Sequence, residues 1–227
     1  MSEPGIAELE KDTKSEEKIK NKAIEELEEP LAKVLSKIIS QGAHYDMIIG
    51  DDTSARIPTL IIAKVLNSWY KSQNLEPADV RFAYGKSGQA EIDVASVFEH
   101  IKAVPAKVLL ATEHIESGEH MAYLAGALDR RGVDFDIASL YILRSEEYYR
   151  RELPDIFRQD ISFYTGESDL APSIYGNKGL TGLRRGQVSS TKPKAIRRAV
   201  ITQTVRQARK DASTVAERLK SRFGIIT

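Results

Sequence analysis

The chain reads as an α/β protein of three layers, with a mainly parallel sheet between helices. Three observations carry that reading. Short apolar runs recur near residues 45, 80, 107 and 134. Helical spacings fall before, between and after them. The connections have the length that a β–α–β crossover needs. The plainest unit is Lys107–Leu128, KVLLATEHIESGEHMAYLAGAL. Val108, Leu109 and Leu110 form an unbroken apolar run, as in a strand covered on both faces, while Met121, Leu124, Ala125 and Leu128 recur on one helical face. Lys107–Ala111 is therefore expected as a strand, and Thr112–His120 as a polar loop. Ligands of open parallel sheets bind beyond the carboxyl ends of strands, so that loop is the first candidate site.

The other elements follow in order. Residues 1 to 15 are polar and carry no chemistry. From Glu16 the spacing Ile19, Ala23, Ile24, Leu27, Leu31, Val34, Leu35, Ile38 and Ile39 is helical, Pro30 starts a second helix or kinks a single one, and Gly42 closes it. This is expected to be a packing helix, laid across a sheet edge or a subunit interface. Tyr45–Gly50 is the first strand and Ile57–Trp69 a helix with Pro58 in its first turn. The loop between them is Asp51, Asp52, Thr53, Ser54, Ala55 and Arg56. Its small residues let backbone N–H groups face a ligand, with Arg56 available to an anion; read blandly, it is a capped helix start.

Val80–Tyr84 is expected as a strand, and Gly85–Gln89 as a flexible turn leading to Ala90–Val94. That turn is either a flap from which Lys86 reaches an anionic ligand or a solvent-exposed hairpin. Val133–Leu143 is a further strand and Ile161–Tyr164 a last one, Gly166–Thr191 is rich in Gly, Ser, Pro and Asn, and Lys194–Phe223 is a basic helix. The resulting division is an N-terminal polar segment and packing helix (1–42), an α/β core (43–145) and a C-terminal region (146–227).

Composition narrows the function. Hydrophobic residues are 41% and charged residues 29% of 227, ordinary values for a globular protein. Without cysteine there is no disulfide framework, thiolate zinc site or thiol nucleophile, which suits the cytoplasm. No run approaches the length of a membrane span, and the first residues lack the pattern of a signal peptide. The formal net charge is zero, but acidic residues dominate the first thirty positions and basic residues those from Arg184 onward. That contrast suits contact between the two ends, within one chain or between subunits.

VLLATEHIESGEHM resembles, in part, the phosphoribosyl-pyrophosphate motif of type I phosphoribosyltransferases, in which an apolar strand leads into two acidic residues and then a Thr/Ser- and Gly-containing loop that opens a helix. Thr112 and Glu113 stand at the acidic pair, Glu116 and Ser117 where hydroxyl residues are usual, Gly118 is retained, and Glu119 and His120 replace a glycine and a threonine. YDMIIGDDTSARIPTLIIAKVL is similar to the family's first strand, pyrophosphate loop and helix, and GKSGQ sits where the family has its mobile catalytic loop. The likeness spans Tyr45 to Leu143. It implies a phosphoribosyltransferase-type fold whose C-terminal region forms a hood, and a magnesium-assisted transferase of nucleotide metabolism. The reaction would displace pyrophosphate from phosphoribosyl pyrophosphate, or a related nucleotide, by a nitrogenous acceptor.

On that resemblance Ser117 and Gly118 hold the ribose phosphate, with Glu119 and His120 beside them. Glu113, partnered by Thr112, binds ribose hydroxyls or metal-bound water. Asp51–Arg56 holds pyrophosphate, whose departure Arg56 and Lys86 assist. A homodimer is implied by the same analogy. The alternative on the same fold is a non-catalytic regulatory or nucleic-acid-binding protein. Arg184, Arg185, Lys192, Lys194, Arg197, Arg198, Arg206, Arg209 and Lys210 would supply its phosphate contacts, or else form a solvated helix that pairs with the acidic N-terminal segment. Glu113, His114, Glu116, Glu119 and His120 also invite a metal site, though their spacing matches no zinc motif. Tyr148, Tyr149, Phe157, Phe163, Tyr164 and Tyr175 either stack a base or pack a subdomain.

Overall fold

The computed structural model describes residues 19–51, 55–101, 103–158, 160–167, 183–184, 194–195 and 199–225. Its centre is a five-stranded, all-parallel sheet with strand order β2-β1-β3-β4-β5, formed by β1 (Met47–Asp51), β2 (Asp79–Ala83), β3 (Lys107–Ile115), β4 (Asp134–Ile142) and β5 (Phe163–Glu167). A short antiparallel pair, β6 (Leu183–Arg184) and β7 (Lys194–Ala195), stands apart from it. The three-layer α/β expectation holds. The sheet also continues past residue 145, because β5 pairs with β4 from Ile137↔Phe163 to Tyr141↔Glu167.

Alternate residues of the central strands feed two cores, as the two-residue period of a strand dictates. Ile48, Leu109, Ala111, Ala138 and Leu140 join the core under α1 (Lys22–Glu25), α2 (Glu28–Ser40), α3 (Arg56–Ser72) and α7 (Ala199–Arg222). Met47, Ile49, Val108, Leu110 and Ile137 join the opposite core, under α4 (Ala90–Glu99), α5 (Glu119–Asp129) and α6 (Glu146–Glu152).

Pro30 lies in the first turn of α2, where its missing N–H costs no hydrogen bond, and Leu31, Val34, Leu35 and Ile38 bury one stripe of that helix against β4 and β5. The N-terminal packing helix is thus laid on the sheet at its β5 edge. α7 packs on α3 and α1 through Ala208, Ala212, Val215, Ala216 and Leu219. The charge contrast between the chain ends is used here. Arg218 lies 3.4 Å from Glu25 and 3.3 Å from Glu28, and Arg222 lies 2.7 Å from Glu29. Asp211 also accepts the N–H groups of Lys20 and Asn21.

Two local expectations are corrected. Thr112–Ile115 is strand, not loop. Although its side chains are largely polar, Thr112↔Ser139, His114↔Tyr141 and Ile115↔Ile142 continue the pairing with β4 after β1 has ended its own pairing at Gly50↔Ala111. And Ala90–Val94 does not close a hairpin: it is the first half of α4, whose Ala90 and Val94 are buried. The Asp93 carboxylate, at the start of this helix, accepts the Tyr84 N–H and the Gln89 side-chain N–H, so the preceding turn is stapled to a helix rather than to a second strand.

Candidate active site at the switch point

The chain leaves β1 towards β2 on one side, then crosses back to β3 on the other and continues outward. The carboxyl ends of β1 and β3 therefore flank a topological switch point, the place where an open α/β sheet leaves a crevice. Asp51 and Thr112–Gly118 meet there, and the loop after β2 is held against them.

Asp51 ends β1 and is 6% exposed. One carboxylate oxygen, Oδ1, accepts the Gly85 N–H at 3.1 Å, and the other, Oδ2, lies 3.7 Å from Nδ1 of His120. Gly85 is required at this position. A Cβ there would stand 2.6 Å from the His120 carbonyl and 2.8 Å from Asp51 Oδ1. Next to it Lys86 is half-buried; its N–H donates to the Tyr84 carbonyl, and its own carbonyl accepts the Gln89 and Ala90 N–H groups. The segment expected as a flap is thus tied at Asp51 on one side and Asp93 on the other. Gly85→Ala is expected to push the start of α5 away from this loop and cost about 2 kcal/mol, the scale of overpacking, as a lowered midpoint in thermal unfolding.

Of the loop after β1, Asp52, Thr53 and Ser54 lie outside the described residues. Ala55 is fully buried and its carbonyl accepts the Thr59 N–H at 2.8 Å, opening α3. Arg56 stacks its guanidinium over the Phe82 ring, 4.5 Å from the centroid, on the β2 side of the crevice.

On β3, Thr112 is 2% and Glu113 1% exposed. The Thr112 hydroxyl donates to the His114 carbonyl at 3.4 Å, and that of its strand partner Ser139 donates to the Tyr141 carbonyl at 2.7 Å. The Glu113 carboxylate is enclosed near Tyr141. Burial, followed by the charges of Glu167, Glu113 and Glu26, pushes that phenol up to about 12. The turn itself is Glu116–Gly118. Gly118 takes φ +80°, which a side chain resists, and sits against Leu153 as N-cap of α5. Tyr149 OH reaches the carbonyls of Ile115 and Glu116, both at 2.8 Å, and anchors the turn from below. Glu116 and Ser117 are exposed, and the Ser117 hydroxyl accepts the Glu119 N–H. Glu119 leans along its own helix to accept the Tyr123 hydroxyl at 2.9 Å, which takes its charge out of the turn.

The donor set does not form a metal cage. No group of three His, Asp or Glu side chains suited to an ion occurs among the described residues, and Glu113, the expected magnesium ligand, is enclosed within β3. Of the aromatic residues, Tyr149, Phe157 and Phe163 pack together in the α5–α6 core, Tyr164 is buried on the other face, and Tyr175 lies outside the described residues. Among the basic residues, Arg206, Arg209 and Lys210 are exposed on α7, Arg184 and Lys194 fall in β6 and β7, and Arg185, Lys192, Arg197 and Arg198 lie outside the described residues. No helix among the described residues is long and apolar enough to cross a membrane.

A concavity of about 500 Å³ opens at the opposite, amino-terminal edge of the sheet, lined in part by Asp46, Asp79, His100 and Val104. Its carboxylates already hold main chain: Asp46 accepts the Ala106 and Lys107 N–H groups, and Asp79 that of Val80. The carboxyl edge is the better candidate. Sequence reasoning missed Tyr149 as an anchor and Asp93 as a staple, although an acid in the first turn of a helix is the available sign for the second. Compared with known proteins, the chain matches no family model and no curated protein sequence.

Proposed function

We propose that the chain binds phosphoribosyl pyrophosphate, or a related nucleotide, in the crevice between β1 and β3 and transfers the phosphoribosyl group to a nitrogenous acceptor in the cytoplasm. The observation that supports this is the approach at one switch point of Asp51 and His120, one from each of the two segments that resemble the phosphoribosyltransferase loops, with Lys86 on the loop pinned beside them. On this reading the Ser117–Gly118 turn and the start of α5 face the ribose phosphate. Arg56 and Lys86 offset the charge on departing pyrophosphate. Magnesium arrives on the phosphate oxygens of the ligand, its usual mode of entry, rather than in a cage of side chains.

The test is calorimetric titration with phosphoribosyl pyrophosphate, with and without magnesium. Saturable binding that needs magnesium is expected, with Arg56→Ala weakening it at least about tenfold, the loss of one charge-assisted contact. Absence of binding at millimolar ligand would sink the reading and make nucleic acid the next probe.

A further inference from the structure

The geometry points to Glu91, gripped by Arg130 and Arg131, as the positioning residue for the loop that carries Lys86, which it locks in place before any ligand arrives. The use of Lys86 by a ligand rests on the function just proposed. The loop is a backward continuation of α4. The Lys86 carbonyl accepts the Ala90 N–H and the Gln89 carbonyl accepts the Asp93 N–H, both at 2.9 Å, in the four-residue step of a helical ladder, so a shift of α4 carries Lys86 with it. Yet the apolar anchor of α4 is thin. Of its ten residues only Ala90, Asp93 and Val94 are buried, and Asp93 turns its carboxylate back to the Tyr84 N–H and the Gln89 side chain.

Glu91 ties this helix to its neighbour. One carboxylate oxygen, Oε2, accepts Arg130 Nε at 3.1 Å and Arg130 Nη2 at 2.6 Å, and the other, Oε1, accepts Arg131 Nη1. Both arginines stand at the C-terminal end of α5: Arg130 is its C-cap, and Arg131 Nη1 also donates to the Ala127 carbonyl at 2.8 Å. Hydrogen bonds from Arg130, and then from Arg131, hold the Glu91 carboxyl below its ordinary value. A lone exposed ion pair contributes little, but here two planar guanidiniums fix one carboxylate. α5 therefore braces the loop from both of its ends. Its first turn meets Gly85, where a Cβ would stand 2.6 Å from the His120 carbonyl, and its last holds Glu91. A loop braced in this way is preset, unlike the mobile loop that the resemblance implies.

The test is hydrogen exchange of the full chain without ligand, read by peptide mass spectrometry. Peptides covering Tyr84–Ala90 are expected to exchange slowly, because the N–H groups of Tyr84, Gly85, Lys86, Gln89 and Ala90 are all hydrogen-bonded. Glu91→Gln should speed them at least about threefold, the scale of a multiply bonded surface ion pair. Arg130→Gln combined with Arg131→Gln, about forty residues away in sequence, should do the same. Peptides from β1 and β3 should keep their rates in both variants.

Fast exchange of the loop in the unmodified chain would overturn the proposal without any variant. Unchanged loop exchange in either variant would overturn it too, as would a uniform rise across the chain, which marks a merely structural contribution. Titration with phosphoribosyl pyrophosphate and magnesium then separates the clamp from its use. Weaker binding in Glu91→Gln is expected, with the loss absent when Lys86→Ala is already in place. Faster loop exchange with unchanged affinity keeps the clamp and removes Lys86 from the ligand, whereas weaker binding with unchanged exchange removes the clamp. No binding by the unmodified chain removes the ligand reading alone, and the exchange result stands.

Discussion

Above about pH 10 the protein is expected to lose stability steeply, because several tyrosines are held protonated by the fold. Burial, reinforced by the Tyr164 hydroxyl and the Asp136 charge, raises the Tyr45 phenol far above its ordinary value. Burial also raises Tyr70, against the hydrogen bond it accepts from the Tyr45 N–H, and pushes Tyr141 up to about 12. The sign follows from linkage. Each folded-state value lies above the unfolded one, so the contribution is complete below about pH 10 and is lost as pH rises, when only the unfolded chain releases its protons. The Tyr141 share is spent between about 10 and about 12, while those of Tyr45 and Tyr70 continue beyond. Each group contributes a slope of about 1.4 kcal/mol per pH unit, so three together give about 4, enough to exhaust a stability of about 5–15 kcal/mol within a few units. Urea titrations at stepped alkaline pH, followed by tyrosinate absorbance, measure it. Tyr45→Phe should remove about a third of the slope, and an unaltered slope would count against the assignment.

Asp136→Ala is expected to cost about 3 kcal/mol at neutral pH, the scale of breaking a buried, hydrogen-bonded charge. Asp136 is 1% exposed and accepts from Tyr45 OH at 2.7 Å, Ser162 N at 2.8 Å and Lys107 Nζ at 2.7 Å. These groups come from the amino ends or approaches of β1, β5 and β3, so one carboxylate on β4 ties four strands together. Tyr164 OH, 3.1 Å from Tyr45 OH, passes the network on to Gln41 at 2.8 Å. Lys107 is 41% exposed and can turn to water, which leaves the Ser162 N–H and Tyr45 OH as the main losses. A fall in the urea midpoint with unchanged slope is the expected signature, and a change below about 1 kcal/mol would show that the network merely fills space.

Much of this fold is legible in the chain. The apolar runs at Met47–Ile49 and Val108–Leu110 mark buried parallel strands, as does Phe135–Leu140 despite Asp136 and Ser139 within it, and the helical stripe from Ile24 to Ile38 marks helix on the sheet. Strand ends are not legible in the same way. Thr112, Glu113 and His114 lack an apolar pattern because the hydrogen bonds of β4, about thirty residues away in sequence, hold them in the sheet, and a nonlocal partner leaves no local signature. The Gly85–Gly88 punctuation misleads for a different reason. Gly85 serves close approach to Asp51 and His120, a demand of packing, and a glycine there looks the same in sequence as one in a hairpin. The two segments proposed for the site stand out in the sequence because each follows an apolar run. The contact between Asp51 and His120 is not legible there, since it joins the end of β1 to the start of α5, which only the crossover brings together.

The clasp between the chain ends has a consequence for how the protein is made. Asn21 and Asp211 are 190 residues apart, and the pairs from Arg218 to Glu25 and Glu28 are similarly distant. During vectorial synthesis the helical layer over α3 stays uncovered until α7 has left the ribosome, long after the strands of the sheet have emerged. Closure of that layer is a late, high-separation step that pays its loop entropy before any contact repays it, which leaves the nascent chain exposed to misassembly until α7 arrives.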